Sequence, residues 1–173
     1  MHNTEKITDK RSTTANDARV PNAATAERTV ILERLLTGSP GQVFKAWTDP
    51  EQLVRWFGPE GFVTSDVTAE MHVGGRWGNT MTSPEGKRYV SSGEIRELVP
   101  SERLVIFDEG KGEPMLGHAT TITVTFEASG TGTGTTMKLV HGVFKSVEMR
   151  DECVRGWTST FNRLERLLRG EVE

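Results

Sequence analysis

Hydrophobic side chains recur along this chain with two different periods. From about residue 147 to residue 169 they return every three or four positions, which is the spacing of one face of a helix. The positions are Val154, Trp157, Phe161, Leu164 and Leu168. Charged residues such as Arg163 fall between them and are expected on the solvent side of the helix. The pattern therefore predicts one long C-terminal helix.

Between residues 62 and 142 apolar and polar side chains mostly alternate, which is the period of a half-buried strand. The first strand candidate would turn Val63 and Val67 to one face and Thr64 to the other. Further strand candidates, separated by turns rich in glycine and proline, lie at residues 77–81, 89–99, 104–108, 120–126 and 135–141. This series predicts an antiparallel sheet.

Two short helices are predicted before this run of strands. Ser39-Pro40 and Asp49-Pro50 each place a capping side chain directly before a proline, which costs a helix nothing at its first position. The first helix would end near Trp47 and the second near Phe57, and a strand candidate at residues 29–36 precedes both. Strands grouped together, with helices segregated at the ends, indicate an α+β domain.

The N-terminal segment differs from the rest of the chain. Residues 1–28 contain no aromatic side chain and are rich in Thr, Ala, Asn and Asp. Such a segment has too little apolar surface to offset the entropy that it would lose on ordering. We therefore expect a disordered tail over residues 1–28, followed by one ligand-binding domain over residues 29–170.

Composition and charge argue against several classes of partner. The 173 residues carry a formal net charge of -3 without a basic block, so neither nucleic acid nor an anionic membrane surface is expected as a partner. No apolar run approaches the roughly 20 residues that a membrane span needs. The single cysteine, Cys153, cannot form an internal disulfide. We expect a cytoplasmic protein that does not insert into membranes.

A series of motifs carries a resemblance to a known family. In chain order they are residues 40–47 before Asp49-Pro50, residues 53–61, Val73-Gly74-Gly75 before Trp77, Gly93-Glu94-Ile95, residues 99–104, and Gly156-Trp157. In this order and spacing the chain resembles the START and Bet v 1-like (SRPBCC) superfamily. Within it, the chain is most similar to proteins homologous to the activator of the heat shock protein 90 ATPase. The resemblance covers residues 29–169.

The resemblance implies a helix-grip fold, in which a curved antiparallel sheet surrounds the long C-terminal helix and two short helices close one end. In many relatives this fold encloses a hydrophobic cavity for lipids, steroids, polyketides or other apolar molecules. The co-chaperone name comes from a longer protein with a separate chaperone-binding domain. The resemblance therefore does not imply the co-chaperone role itself, and only a weak chaperone contact stays open here. Monomer and homodimer also both stay open.

Motifs for catalysis or metal binding are sparse. No two histidines, and no histidine with Cys153, have the spacing of a metal site, and no GxSxG motif occurs, so we expect neither a metal nor a cofactor. The glycine-rich residues 129–136 join two strands and predict a hairpin loop rather than a phosphate site. Cys153 precedes an apolar helical position and is expected to be a half-buried structural thiol. Glu94 and Asp108 lie on adjacent predicted strands and would form an acid or base only if they face inward.

Large apolar side chains are the remaining candidates for a site. They form either ordinary core or the walls of a ligand pocket, with His118 or His141 as a polar anchor. The predicted ligand-binding residues are Trp47, Trp56, Phe57, Trp77, Met81, Phe107, Met115, His118, His141, Trp157 and Phe161. We expect binding of a small hydrophobic molecule without catalysis. The alternatives are an enzyme, a resistance protein consumed by reaction with its ligand, and a protein that contacts heat shock protein 90 through its surface.

Overall fold

The computed structural model describes residues 23–111, 117–130 and 132–171. The helices are α1 (Ala23–Ala26), α2 (Pro40–Thr48), α3 (Pro50–Trp56) and α4 (Val147–Leu168). The strands are β1 (Val30–Thr37), β2 (Val63–Ala69), β3 (Arg76–Thr82), β4 (Arg88–Val99), β5 (Arg103–Asp108), β6 (Thr120–Ala128) and β7 (Gly134–Gly142). Of the predicted N-terminal tail, residues 1–22 lie outside the described residues.

One antiparallel sheet of seven strands, in the order β1-β7-β6-β5-β4-β3-β2, forms the body of the domain. Helix α4 contacts β1, α2 and α3, and its apolar stripe lies against the sheet. The strand, two short helices, strands and long helix follow the order that the sequence predicts. Within the described part of the chain, no helix is both long enough and apolar enough to cross a membrane.

The two short helices begin where the sequence predicts. Ser39 accepts a hydrogen bond from the backbone N–H of Gln42, and the Gln42 side chain accepts one from the backbone of Ser39 at 2.8 Å. Asp49 caps α3 by accepting from the N–H of Glu51 at 3.0 Å. These caps fix the turn between α2 and α3 and thereby bring Trp47 and Trp56 together, with ring centroids 5.0 Å apart.

The predicted facing of β2 is wrong at its first residues. Val63 is 68% exposed, whereas Thr64 is buried and donates its hydroxyl hydrogen to the carbonyl of Phe57. A β-bulge follows, because two residues lie between Ser65 and Thr68 while only one lies between their partners on β3. The extra residue shifts the register by one, so the side chain of Val67 reaches the core although that of Val63 does not.

Arg163 also departs from the sequence expectation. Its side chain is half-buried and turned toward the segment that follows α3. The Nη1 atom lies 2.9 Å from the carbonyl oxygen of Gly58 and 3.3 Å from those of Phe57, Pro59 and Phe62. The Nη2 atom donates to the carbonyl of Arg55 at 3.1 Å. The guanidinium therefore holds the loop of residues 57–62 against α4.

Removal of this guanidinium should destabilise the domain. We expect Arg163→Met, which keeps an apolar stem, to lower the free energy of unfolding by about 2 kcal/mol, because hydrogen bonds to a charged donor are lost. Urea unfolding measures the change. Arg166→Met is the matched control, since Arg166 on the same helix makes a more exposed ion pair with Glu60 at 2.7 Å. That pair should be worth less than about 1 kcal/mol. Equal losses in the two variants would contradict the role given to Arg163.

Candidate functional site

A cavity of about 370 Å³ lies between α4, the loop of residues 57–62 and the inner face of the sheet. Its apolar walls include Phe57, Phe62, Trp77, Met81, Ile122 and Trp157. Lys87 and Glu152 also line it and are exposed, so they mark the side that is open to solvent. This volume lies within the range typical of small-molecule pockets.

The structure divides the predicted site residues into two layers. Phe57, Trp77, Met81, His141 and Trp157 line the cavity together. The other buried aromatic residues of the prediction lie behind this wall, within the core, and are Trp47, Trp56 and Phe161. Trp157 joins the layers, since its ring stacks on that of Trp47 with centroids 5.8 Å apart and approaches Phe161 at 5.4 Å.

Two further predicted residues lie away from the cavity. Phe107 follows the inward-facing Ile106 on β5, and the guanidinium of Arg96 lies 4.9 Å from the centroid of its ring. His118 is half-buried, and its Nε2 atom lies 3.2 Å from the carbonyl oxygen of Val143. Met115 lies outside the described residues.

Four further residues line the cavity but are not among the predicted ligand-binding residues: Phe62, Tyr89, Gly156 and Asp108, the last of which was considered only as an acid or base. For Asp108 a signal was present, because strand alternation from Leu104 and Ile106 places it on the same inner face. For Gly156 the signal was weaker, since a glycine inside a helix has no side chain from which to assign a face.

His141 is the most buried titratable group of the cavity, with 3% of its surface exposed. Its Nδ1 atom accepts a hydrogen bond from the indole N–H of Trp157 at 3.0 Å, and the thiol of Cys153 lies 3.5 Å from the same atom. An indole nitrogen can only donate, so Nδ1 carries no proton and Nε2 must carry it. Nε2 then donates to the hydroxyl of Thr120 at 2.9 Å. Burial, with a smaller contribution from nearby His118, lowers the pKa of His141 to about 3.

Cys153 is a half-buried thiol, as the sequence predicts. Burial raises its pKa to about 12, and the charge of nearby Asp108 acts in the same direction. A thiol with this pKa remains protonated at neutral pH and is a poor nucleophile. No three His, Cys, Asp or Glu side chains of the described residues lie together as a metal site would require.

Asp108 and Glu94 do not form a carboxylate pair. Glu94 pairs with Phe107 in the sheet register, so it points to the outer face and makes an ion pair with Arg96 at 3.3 Å. Asp108 lies on the inner face, is 8% exposed and lines the cavity. Burial raises the pKa of its carboxyl group, while the backbone N–H of Gly110 donates to Oδ1 at 2.7 Å and counteracts that effect.

The lowered pKa of His141 predicts a component of stability that depends on pH. The unfolded chain binds a proton at this histidine below a pH of about 6.5, whereas the folded protein binds it only near pH 3. The free energy of unfolding should therefore fall between these values as the pH is lowered, by up to about 1.4 kcal/mol per pH unit. Urea unfolding at a series of pH values measures the slope.

His141→Asn should remove this component, because the amide oxygen can still accept from Trp157 but does not titrate. His118→Asn is the control, since His118 lies on the surface side of Phe144 and should leave the slope in place. If the free energy of unfolding has the same slope against pH in His141→Asn and in the wild-type protein, the assignment of His141 as a buried neutral imidazole is wrong.

Comparison with known proteins agrees with this architecture. A crystal structure of a Chromobacterium violaceum protein matches with a TM-score of 0.73 and 26% identity, over 82% of this chain and 96% of that one. A Nitrosomonas europaea protein matches with a TM-score of 0.71 and 25% identity, over 84% and 97% of the two chains. The AHSA1 protein of Silicibacter pomeroyi shares the fold, with a TM-score of 0.69 and 23% identity over 83% and 99%. No curated protein sequence gives a significant match.

The predicted helix-grip fold is confirmed by these neighbours, as is the α+β class. The family model described as "Activator of Hsp90 ATPase homolog 1-like protein" matches residues 37–169. That range contains the two short helices, six of the seven strands in full and α4. The chain belongs to the family of Activator of Hsp90 ATPase homolog 1-like proteins.

Proposed function

We propose that the domain binds a small, mainly apolar molecule in the cavity and does not transform it. The observation that carries the proposal is the volume of about 370 Å³ between α4 and the sheet, with aromatic walls from Phe57, Trp77 and Trp157. Protein interiors are normally packed with few voids larger than a water molecule. A larger apolar volume open to solvent is the usual form of a small-molecule site.

Gly156 gives independent support. It lies in the middle of α4, where glycine costs about 1 kcal/mol relative to alanine. Apart from its chain neighbours and the helix backbone, a Cβ atom at this position would meet no heavy atom of the described residues within 4 Å, so packing does not require a glycine. Because Gly156 lines the cavity, the missing side chain enlarges the space available to a ligand.

The polar groups of the cavity favour binding over catalysis. Both ring nitrogens of His141 are engaged within the protein, by Trp157 and by Thr120. The raised pKa of Cys153 keeps its thiol protonated. Among the described residues that line the cavity, neither His141 nor Cys153 is therefore available to relay a proton for Asp108 or to act with it as a nucleophile. These observations weigh against the enzyme and the self-sacrificing resistance protein.

A screen of ligands tests the proposal directly. Native mass spectrometry of the freshly purified protein, followed by thermal shift with lipids, steroids, flavonoids and polyketides, should reveal a bound molecule or a dose-dependent rise of the melting temperature. A ligand that binds only the folded state stabilises it by mass action. An unliganded mass and no shift across the library would contradict the proposal. The surface interaction would then be favoured, with exposed Ile31 and Leu35 on the outer face of β1 as the first residues to vary.

Variants of Gly156 separate binding from folding. Gly156→Phe should occupy the cavity and abolish the thermal shift given by the best ligand of the screen, while the unliganded melting temperature stays equal or rises. Gly156→Ala is the matched control, because it also replaces glycine by a better helix former but does not fill the space. It should raise the free energy of unfolding by about 0.5 to 1 kcal/mol and retain binding. Undiminished binding by Gly156→Phe would place the ligand elsewhere.

A further inference from the structure

Asp108 presents a carboxylate to the inner part of a mainly apolar cavity. It is the last residue of β5, and the sheet register sets it beside Gly93 of β4 and Thr120 of β6. Strand alternation turns it inward with Leu104 and Ile106, so its side chain lies on the cavity wall rather than in solvent. The position is fixed by the sheet and does not depend on a loop.

Few polar groups among the described residues replace the hydration that this carboxylate loses on burial. The backbone N–H of Gly110 donates to Oδ1. None of the ion pairs between described residues includes Asp108. Burial raises the pKa of the Asp108 carboxyl group and the acidic Glu109 next to it acts in the same direction, whereas nearby His118 lowers it. Buried charges in proteins are normally paired, because an unpaired one loses its hydration without a substitute.

The aromatic walls of the cavity also suit a positive charge. Phe57, Trp77 and Trp157 present aromatic rings to the cavity, and the faces of such rings attract cations. The outer part of the site already contains one such contact, since the ammonium nitrogen of Lys87 lies 5.2 Å from the centroid of the Tyr89 ring. Because the charge of Lys87 would repel a ligand cation, such a cation would bind at the inner carboxylate rather than beside Lys87.

We propose that the ligand of this cavity is an apolar molecule that carries a protonated amine, and that Asp108 binds this amine. The inference rests on the ligand binding proposed above and adds the charge class of the ligand. An ammonium group would donate to the carboxylate oxygen that Gly110 does not occupy. It would also supply a directly bonded countercharge, which none of the ion pairs between described residues provides. The remainder of the molecule would lie against the aromatic walls.

Two probes of similar size test the charge class. The protein is titrated at neutral pH with 1-naphthylmethylamine, which is protonated, and with 1-ethylnaphthalene, which is neutral. Calorimetry or tryptophan fluorescence gives the dissociation constants. We expect the wild-type protein to bind the amine roughly tenfold more tightly, the effect of one charge-assisted hydrogen bond. Equal affinity for the two probes, or tighter binding of the hydrocarbon, would overturn the role of Asp108 and leave the apolar cavity intact. If neither probe binds, the proposed function itself fails.

Two variants assign the preference to a residue. Asp108→Asn should abolish the tenfold preference and leave the affinity for 1-ethylnaphthalene within about twofold. Glu152→Gln, which removes a carboxylate from the exposed rim of the same cavity, should keep the preference because exposed charges are screened. A preference that survives Asp108→Asn, or an equal loss of affinity for both probes in that variant, would contradict the inference. The wild-type comparison stands whether or not the Asp108→Asn protein folds.

Discussion

The hydrogen bond from the indole of Trp157 to His141 fixes where α4 lies over the sheet. Because an indole nitrogen only donates, the imidazole must present an unprotonated Nδ1 and turn its Nε2–H toward Thr120. One neutral ring thus connects α4 to β7 and to β6, and burial keeps it neutral. The orientation of Trp157 then determines both the cavity wall on one side of its ring and the stacking on Trp47 on the other.

A second contact on α4 keeps the cavity from collapsing. Arg163 holds the carbonyl groups of the loop of residues 57–62, and this loop contributes Phe57 and Phe62 to the wall. Gly156 and Thr160 face the space beside these contacts. With α4 attached to the sheet through Trp157 and to the loop through Arg163, the helix cannot move inward to close the volume without breaking polar contacts. The cavity is therefore a consequence of how the helix is attached, as well as of the curvature of the sheet.

Most of the fold was predictable from the sequence because its signals are local. The caps at Ser39 and Asp49 and the spacing of apolar residues in α4 each depend on a few neighbouring positions. The facing of β2 was not predictable, because the bulge after Ser65 changes which residues reach the core without changing the alternation of residue types. Arg163 was placed on the solvent side of α4 because helical periodicity carries no information about a loop distant in sequence.

The candidate site was predictable only as a set of residue types. An aromatic stripe looks the same in sequence whether a residue lines a cavity, as Trp157 does, or lies behind the wall, as Phe161 does. The choice between His118 and His141 likewise depends on a tertiary hydrogen bond. Strand parity, by contrast, is sufficient to place Asp108 inward. Its partner in the register is Gly93 rather than Glu94, so the two carboxylates face opposite sides of the sheet.

Three features that each cost stability occur at the same cavity, and their coincidence is the strongest argument that the space is used. The cavity lacks the packing contacts that a filled core would make. Gly156 lowers the stability of a helix that has room for a side chain at that position. Asp108 is a buried carboxylate that accepts one hydrogen bond from a backbone N–H. Natural sequences depart from local rules mainly where function requires it. The two residues also affect different properties of the ligand: Gly156 affects which shapes the cavity can accept, whereas Asp108 affects which charge it favours. A cavity left by imperfect packing alone would give no reason for both residues to line it.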